Sequence, residues 1–301
     1  MPVTIKAALP EEWSSALHLF YQNEEIADRE LLVQEMFEAH QNKRISLEHL
    51  LIAQQDETIV GVMLAQQQPD SSAFFWVPVV QKELDAAAIA NRLLQDACQR
   101  MKQKNVSYAQ IILTPEEIPQ TELILNNGFE QLADICYLQR SFDFPLPTQS
   151  KTFSVISFDE KVNRKRFAKL LESTYKGTLD CPAFTSVRNG EAALLSHQHS
   201  GLYTPEHWLL FEVEGDDVGL LLMNDHPDQS AWEIVYMGVS PMFRGRGYGK
   251  MILLEGLQNV ATSGREFVLL AVDKENHFAS AIYEEMGFFL IANRSVFLRY
   301  F

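Results

Sequence analysis

The stretch Arg244-Gly245-Arg246-Gly247-Tyr248-Gly249-Lys250 constrains this chain more than any other. It follows an apolar run, 232–239, that reads as a buried strand. It precedes 251–261, where Leu253, Leu254, Leu257, Val260 and Ala261 recur at helical spacing. Three glycines and three cations therefore sit at a strand-to-helix junction. Glycine lets a backbone turn tightly and approach a ligand closely. The first amides of a helix lack intrahelical acceptors and lie at the positive end of its dipole. Together these features make an anion cradle suited to a phosphate or pyrophosphate. Two common phosphate loops are excluded: there is no GxxxxGK[ST], and the spacing is GxGxG rather than GxGxxG.

The same residues resemble a known signature. Arg244-x-x-Gly247-x-Gly249 is similar to the R/Q-x-x-G-x-G/A motif of the GNAT superfamily of acyl-CoA-dependent N-acetyltransferases. Asn276-x-x-Ala279-x-x-Ile282-Tyr283-x-x-x-Gly287-Phe288 resembles a second family motif, N-x-x-A-x-x-L-Y-x-x-x-G-F. The two occur in the family's order, a strand and a helix apart.

The chain repeats itself. Gly128, Phe129, Ala133, Arg140 and Phe142 match Gly287, Phe288, Ala292, Arg299 and Phe301 at a constant offset of 159. The order of elements repeats too. In the first half, strands are expected at 3–7, 50–53, 58–64, 74–80 and 109–113, with helices at 10–20, 28–41, 85–103 and 117–126. A strand pair is expected at 128–142. In the second half, strands are expected at 153–156, 208–213, 218–223 and 267–272, with helices at 161–174, 191–197 and 277–286. A second strand pair is expected at 289–301. The Pro-rich stretch 144–150 reads as a linker. The resemblance therefore implies an α/β protein of two tandem GNAT-type domains, 1–143 and 151–301, each a mixed, mostly antiparallel sheet flanked by helices. On the same offset Arg244 falls on Asp85, and Gly245, Gly247 and Gly249 fall on Ala86, Ala88 and Ala90. Asn276 falls on Glu117 and Tyr283 on Ile124. The first half thus loses the glycine turn and gains a carboxylate, and is read as a degenerate copy that shapes substrate or supports the fold.

Charge narrows the partners. The net charge is −15, with 25 basic and 40 acidic residues in 301. Such acidity argues against nucleic acid and anionic membrane. Cys98, Cys136 and Cys181 are odd in number and widely spaced, which suggests neither disulfides nor a metal cluster and points to a reducing cytoplasm. His197-Gln198-His199 lacks a third ligand, so no metal is expected. The start has no apolar signal core, and no stretch is long enough to span a membrane. The basic run Lys161, Arg164, Lys165, Arg166 and Lys169 reads as a solvated helix face.

The resemblance implies a reaction in which an amine of a small molecule or peptide attacks the thioester of acetyl-CoA. It implies that residues 244–250 hold the pyrophosphate and that the backbone of Met237, Gly238 and Val239 holds the pantetheine arm. Asn276 would bond pantetheine, or else cap the helix that follows it. Tyr283 would protonate the departing thiolate. Many family members carry a glutamate where Ala271 stands. Here Glu233-Ile234-Val235-Tyr236 resembles the E-I-V-F run of histone-type members, so Glu233 is the expected base, with Tyr236 through a water as the alternative. Asp180, Cys181 and Arg188 fall where the family lines its acceptor pocket. A non-catalytic acyl-CoA-binding module and a transferase of the mycothiol-synthase type remain as alternatives.

Overall fold

The computed structural model describes residues 3–68, 71–81, 85–147, 153–182 and 189–301. Their elements, in chain order, are β1 (Thr4–Ala7), α1 (Trp13–Phe20), α2 (Ile26–Gln41), β2 (Leu50–Gln55), β3 (Thr58–Gln67), β4 (Ser72–Phe75), β5 (Val79–Val80), α3 (Ala86–Gln103), β6 (Tyr108–Leu113), α4 (Thr121–Asn126) and β7 (Glu130–Ser141). There follow β8 (Ser154–Ser157), α5 (Arg164–Thr174), α6 (Gly190–His197), β9 (Trp208–Val213), β10 (Asp216–His226), β11 (Ala231–Val239), α7 (Tyr248–Val260), β12 (Phe267–Asp273), α8 (His277–Glu285) and β13 (Phe289–Tyr300). The expected strand at 74–80 is two short pieces, because Pro78 has no N–H to give a ladder.

The compact units are Met1–Leu132 with Ser295–Phe301, and Ala133–Arg294. These bounds differ from the division at 144–150 expected from the prolines. The physical reason is a reciprocal exchange of strands. In the first unit the sheet runs β1-β2-β3-β4-β6 and is completed by the end of β13, with Ser295–Tyr300 antiparallel to Tyr108–Leu113. In the second unit it runs β8-β9-β10-β11-β12 and is completed by β7, with Ile135–Ser141 antiparallel to Phe267–Asp273. Both β7 and β13 are single twelve-residue strands rather than the expected strand pairs. The described part of the expected linker is pinned: the Phe144 carbonyl accepts from Arg140 Nη2.

Among the described residues each unit contains one parallel pair, and the two coincide at the offset of 159. Ser72–Phe75 pairs with Tyr108–Ile111, and Ala231–Ile234 pairs with Phe267–Leu270. Strand alternation sorts the cores. In β10, Leu220 and Leu222 pack with Phe167, Leu171 and Leu194 of α5 and α6. Leu221 and Met223 face Leu253 and Leu257 of α7 and Tyr283 of α8. In the first unit, Leu51 and Met63 face Leu93 and Leu94 of α3, while Ile52, Val62 and Leu64 face Leu17 and Val33 of α1 and α2. The basic run on α5 is paired: Arg164 with Glu160 and Glu191, and Arg166 with Glu212 and Asp217.

Candidate functional site

The site in the second unit begins where a ladder stops. β11 and β12 pair in parallel over four residues each, Ala231–Ile234 and Phe267–Leu270, and not beyond. The register of β11 against β10 slips at the same point, leaving Val235 between Met223↔Ile234 and Leu222↔Tyr236. A bulge of this kind bends the strand that carries it. Residues 236–239 therefore pair with β10 on one side only, and alternate amides and carbonyls on the other side face a gap. Met237 and Val239 turn their side chains to the α7 core. At Gly238 a Cβ would lie 2.7 Å from Thr174 Oγ1, so glycine is what lets this strand approach α5.

The gap leads to the glycine loop. Gly245 (φ +74°) and Gly247 (φ +83°) occupy the left-handed region, and a Cβ on either would have nothing within 4 Å. Their glycine requirement is conformational, and the surface over them is open. Helix α7 starts at Tyr248 with Gly247 as its N-cap, which supplies no side chain. The amides of the first turn are left for an external acceptor. Lys250 is paired with Glu285, and Arg246 lies 5.5 Å from the centre of the Phe243 ring. Arg244 is spent inward: Nε donates to Val239 O (3.1 Å), Nη1 to Lys176 O (2.8 Å) and Gly177 O (2.9 Å), and Nη2 to Thr174 O (2.6 Å). Its guanidinium closes the C-terminus of α5 and shapes the loop.

Glu233 and Tyr283 lie on opposite faces of the sheet. Glu233 stands opposite Leu269 and Asn224 on the face covered by α5 and α6. Its Oε2 accepts from Ser200 Oγ and from His226 Nε2, both at 2.7 Å. Gly201 makes room for that histidine, since a Cβ there would meet His226 Nε2 at 2.5 Å. Buried Asn224 anchors the segment before it, donating to His197 O (2.7 Å) and Ser200 O.

Tyr283 is buried in the α7–α8 face of the core. Loss of hydration, then the charge of Asp180 and the neighbouring Tyr236, push its pKa upward, so the phenol keeps its proton at neutral pH. Tyr236, across the gap, shares a 2.6 Å hydrogen bond with Thr174 Oγ1 and is also shifted upward by burial. The Asp180 carboxylate accepts from Asp273 N (2.9 Å), while Asp273 Oδ2 accepts from Cys181 N (3.0 Å), clamping the 175–182 loop to the end of β12. Desolvation and the like charge of Asp273 move Asp180 above the ordinary carboxylate value. Asn276 caps α8, its Oδ1 accepting from Ala279 N at 3.3 Å, and it also bonds Asp180. Arg188 lies outside the described residues.

The structure thus gathers the splayed strand, the glycine loop, Tyr283 and Asn276 around one gap, with Glu233 on the sheet face beyond it. Sequence reading did not find Ser200, His226 or the Asp180–Asp273 clamp. The Asn224↔Glu233 pairing across the β10–β11 hairpin was the available signal for His226, which lies two residues along on the same face.

Where β11 and β12 part, the gap opens beside a helix start that no side chain caps. Residues 172–288, within the second half of the chain, match the model of the Acetyltransferase (GNAT) family. A mycothiol acetyltransferase of Streptomyces griseus subsp. griseus is 33% identical over 86 residues, 29% of this chain and 28% of that protein. One from a Nocardioides species is 25% identical over 188 residues, 55% of this chain and 60% of that protein. The chain therefore spans less than two thirds of the relatives it matches. Among solved structures, a GCN5-related N-acetyltransferase from Sphaerobacter thermophilus aligns over 99% of this chain and 95% of its own, with a TM-score of 0.67 and 16% identity. A tandem GNAT protein from the clavulanic acid biosynthesis pathway aligns over 99% and 98%, with a TM-score of 0.55 and 12% identity. These two show the fold. Among the described residues no helix is long and apolar enough to cross a membrane, and no three potential metal ligands come together.

Proposed function

We propose that the second unit transfers an acetyl group from acetyl-CoA directly to a primary amine of a small molecule or peptide. The observation that carries this reading is the gap where β11 and β12 part. It opens beside the uncapped amides of α7, with a carboxylate on one face of the sheet and a protonated phenol on the other. Bound acetyl-CoA would supply an activated acyl carbon. The open loop at Gly245 and Gly247 fits a pyrophosphate, which the amides of 245–250 and the charge of Arg246 would hold. The free backbone of 237–239 fits an amide-bearing arm. Arg244 serves this site by shaping the loop, and Asn276 by fixing the start of α8.

Glu233 is the proposed base. An alkylamine is almost wholly protonated at neutral pH and must lose a proton before it attacks. Ser200 and His226 both hold Oε2, which orients the carboxylate and leaves Oε1 for the ammonium or an intervening water. Tyr283 is the proposed acid for the departing thiolate, and its upward-shifted pKa keeps the proton in place until it is used. Tyr236 is engaged by Thr174, which favours Glu233 over it as base.

The test is thiol release from acetyl-CoA against a panel of primary amines. Amine-dependent release with N-acetyl product is expected. Stoichiometric CoA binding without release for any amine would instead mark a binding module. The likeness to mycothiol acetyltransferases favours a second, compatible reading, a transferase of that type, and the same panel tests it.

A further inference from the structure

Strand exchange brings residues of the first half of the sequence beside Glu233. Across β11, β12 and β7 the register aligns Glu233, Leu269 and Gln139; two residues along it aligns Ala271 with Tyr137. Directly paired residues share a face. The contacts agree, because the intervening Ile234, Leu270, Leu138 and Cys136 all pack in the opposite, α7-side core. Tyr137 and Ala271 are exposed and Glu233 is half-buried, so beyond the cover of α5 and α6 this face is open to a ligand next to the proposed base.

A cation completes the patch. Cys136 bonds Asn293 Oδ1 at 3.5 Å on the core side, so Arg294, one residue on, turns toward the Tyr137 face. Tyr137 registers both charges: partial loss of hydration raises its pKa first, the positive field of Arg294 opposes this, and the negative field of Glu233 adds to it. Arg294 Nη1 donates to the Asn293 carbonyl at 2.7 Å. Among the described residues the hydrogen bond of this guanidinium is to a backbone carbonyl and not to a carboxylate, in a chain of net charge −15. An arginine beside a neutral phenol is a ready partner for a carboxylate.

We propose that Arg294 and Tyr137 select the acceptor, which is an amine that also bears a carboxylate, its ammonium at Glu233 and its carboxylate at Arg294. This rests on the amine-transfer reading above and gives a substrate class to the same site. The two residues are specificity determinants and take no proton in the reaction.

The experiment compares matched pairs on the full chain: lysine with cadaverine, γ-aminobutyrate with butylamine, alanine with ethylamine. KM for the carboxylate member should be at least about tenfold lower in the wild type, a difference on the scale of one charge-assisted pairing. Arg294→Gln should erase that ratio by raising KM for the carboxylate members with kcat within about twofold. Arg294→Lys should keep part of it, and Tyr137→Phe should lose a smaller part. A wild type that prefers the plain amines, or an Arg294→Gln variant that keeps the ratio, overturns the proposal. Should no amine turn over, the transfer reading fails by itself. Calorimetry of the same pairs in the presence of CoA then decides this one, with equal binding of both members as the overturning result.

Discussion

Asp85 and Gly247 stand at the N-caps of corresponding helices, and they treat the positive end of a helix in opposite ways. Asp85 Oδ1 accepts from Ala88 N at 3.3 Å, so α3 is capped by a carboxylate of its own chain. Gly247 caps α7 with no side chain and leaves the first amides open. At the offset of 159, the first turn of α3, from Ala86, occupies the positions of the loop at Gly245. The parallel strands part after the same pair in both units, Phe75↔Ile111 and Ile234↔Leu270. The splay is therefore common to the fold, and the chemistry at the helix start differs. Glu117, opposite Asn276, is spent in a capping box on Thr114 N, and Ile124, opposite Tyr283, is a buried apolar residue. On the proposed reading a carrier site needs both an open gap and an uncapped helix, and we infer that the first unit has only the gap.

The largest expected effect comes from separating the two sequences. Fragments 1–143 and 151–301 each lack the strand that completes their sheet, so neither should fold alone. A full chain cleaved at a protease site placed in 144–150 should stay associated, and the intact protein should unfold in one cooperative transition. A fragment 1–143 with a dispersed, protected amide spectrum would show that β7 can close its own sheet, and the comparison of exchanged strands would fall.

Next come the paired arginines. Arg140 is fully buried, with Nε donating to Met286 O at 2.8 Å and Nη1 to Ser141 O at 2.9 Å. Its counterpart Arg299 donates from Nη1 to Asn127 O at 2.6 Å. Asn127 and Met286 are themselves related by 159, and each precedes the left-handed glycine that ends a helix, Gly128 or Gly287. Both arginines thus tie an exchanged strand to a helix C-terminus. Arg140→Ala should cost on the order of 3 kcal/mol, since it strands several buried carbonyls. Arg299→Ala should cost about 1–2 kcal/mol at its half-buried site. Urea titrations check the order, and equal costs would remove the distinction.

Gly247→Asp should lower CoA affinity at least about 100-fold, or about 2.7 kcal/mol. It places a carboxylate at the open amides and an L side chain at φ +83°. Ala88→Asp, in the first turn of α3, should leave affinity unchanged. If Gly247→Asp binds CoA like wild type in calorimetry, the loop is not the cradle.

Much of this contrast was legible in the sequence. The offset aligned Asp85 with Arg244 and Ala88 with Gly247, and helix and strand order followed from periodicity. The sheet that each repeat's last strand would join was not legible. Residues 128–142 and 289–301 are equivalent and apolar enough to complete either sheet, and only tertiary pairing decides. For the same reason Tyr137 was invisible as a neighbour of Glu233. Asn276 had two readings at the outset, and the structure shows the cap. His226 joins Glu233 across a hairpin, and Ser200 joins it through a loop, a contact that no local spacing encodes.

The smallest effect tests Tyr283 against Ile124 through alkaline stability. Burial raises the pKa of Tyr283 and of Tyr236 above the ordinary tyrosine value near ~10. A group whose pKa is raised by folding holds its proton longer in the folded state. Its contribution is therefore fully present below the unfolded value and is lost as pH climbs from there toward the folded one. Around pH ~11, about one unit above the unfolded value, each such tyrosine should have cost the protein about 1.4 kcal/mol relative to neutral pH. Tyr283→Phe removes one titrating group, so its stability should fall less steeply from pH ~9 to ~11, by about that amount. Ile124→Val in the first unit removes no titrating group, so its pH dependence should run parallel to wild type at a constant small offset. Urea unfolding at three pH values separates the two. If the Tyr283→Phe curve also runs parallel to wild type, the phenol is ionising as easily in the fold as out of it. It would then not be the protonated acid that the proposed reaction asks for.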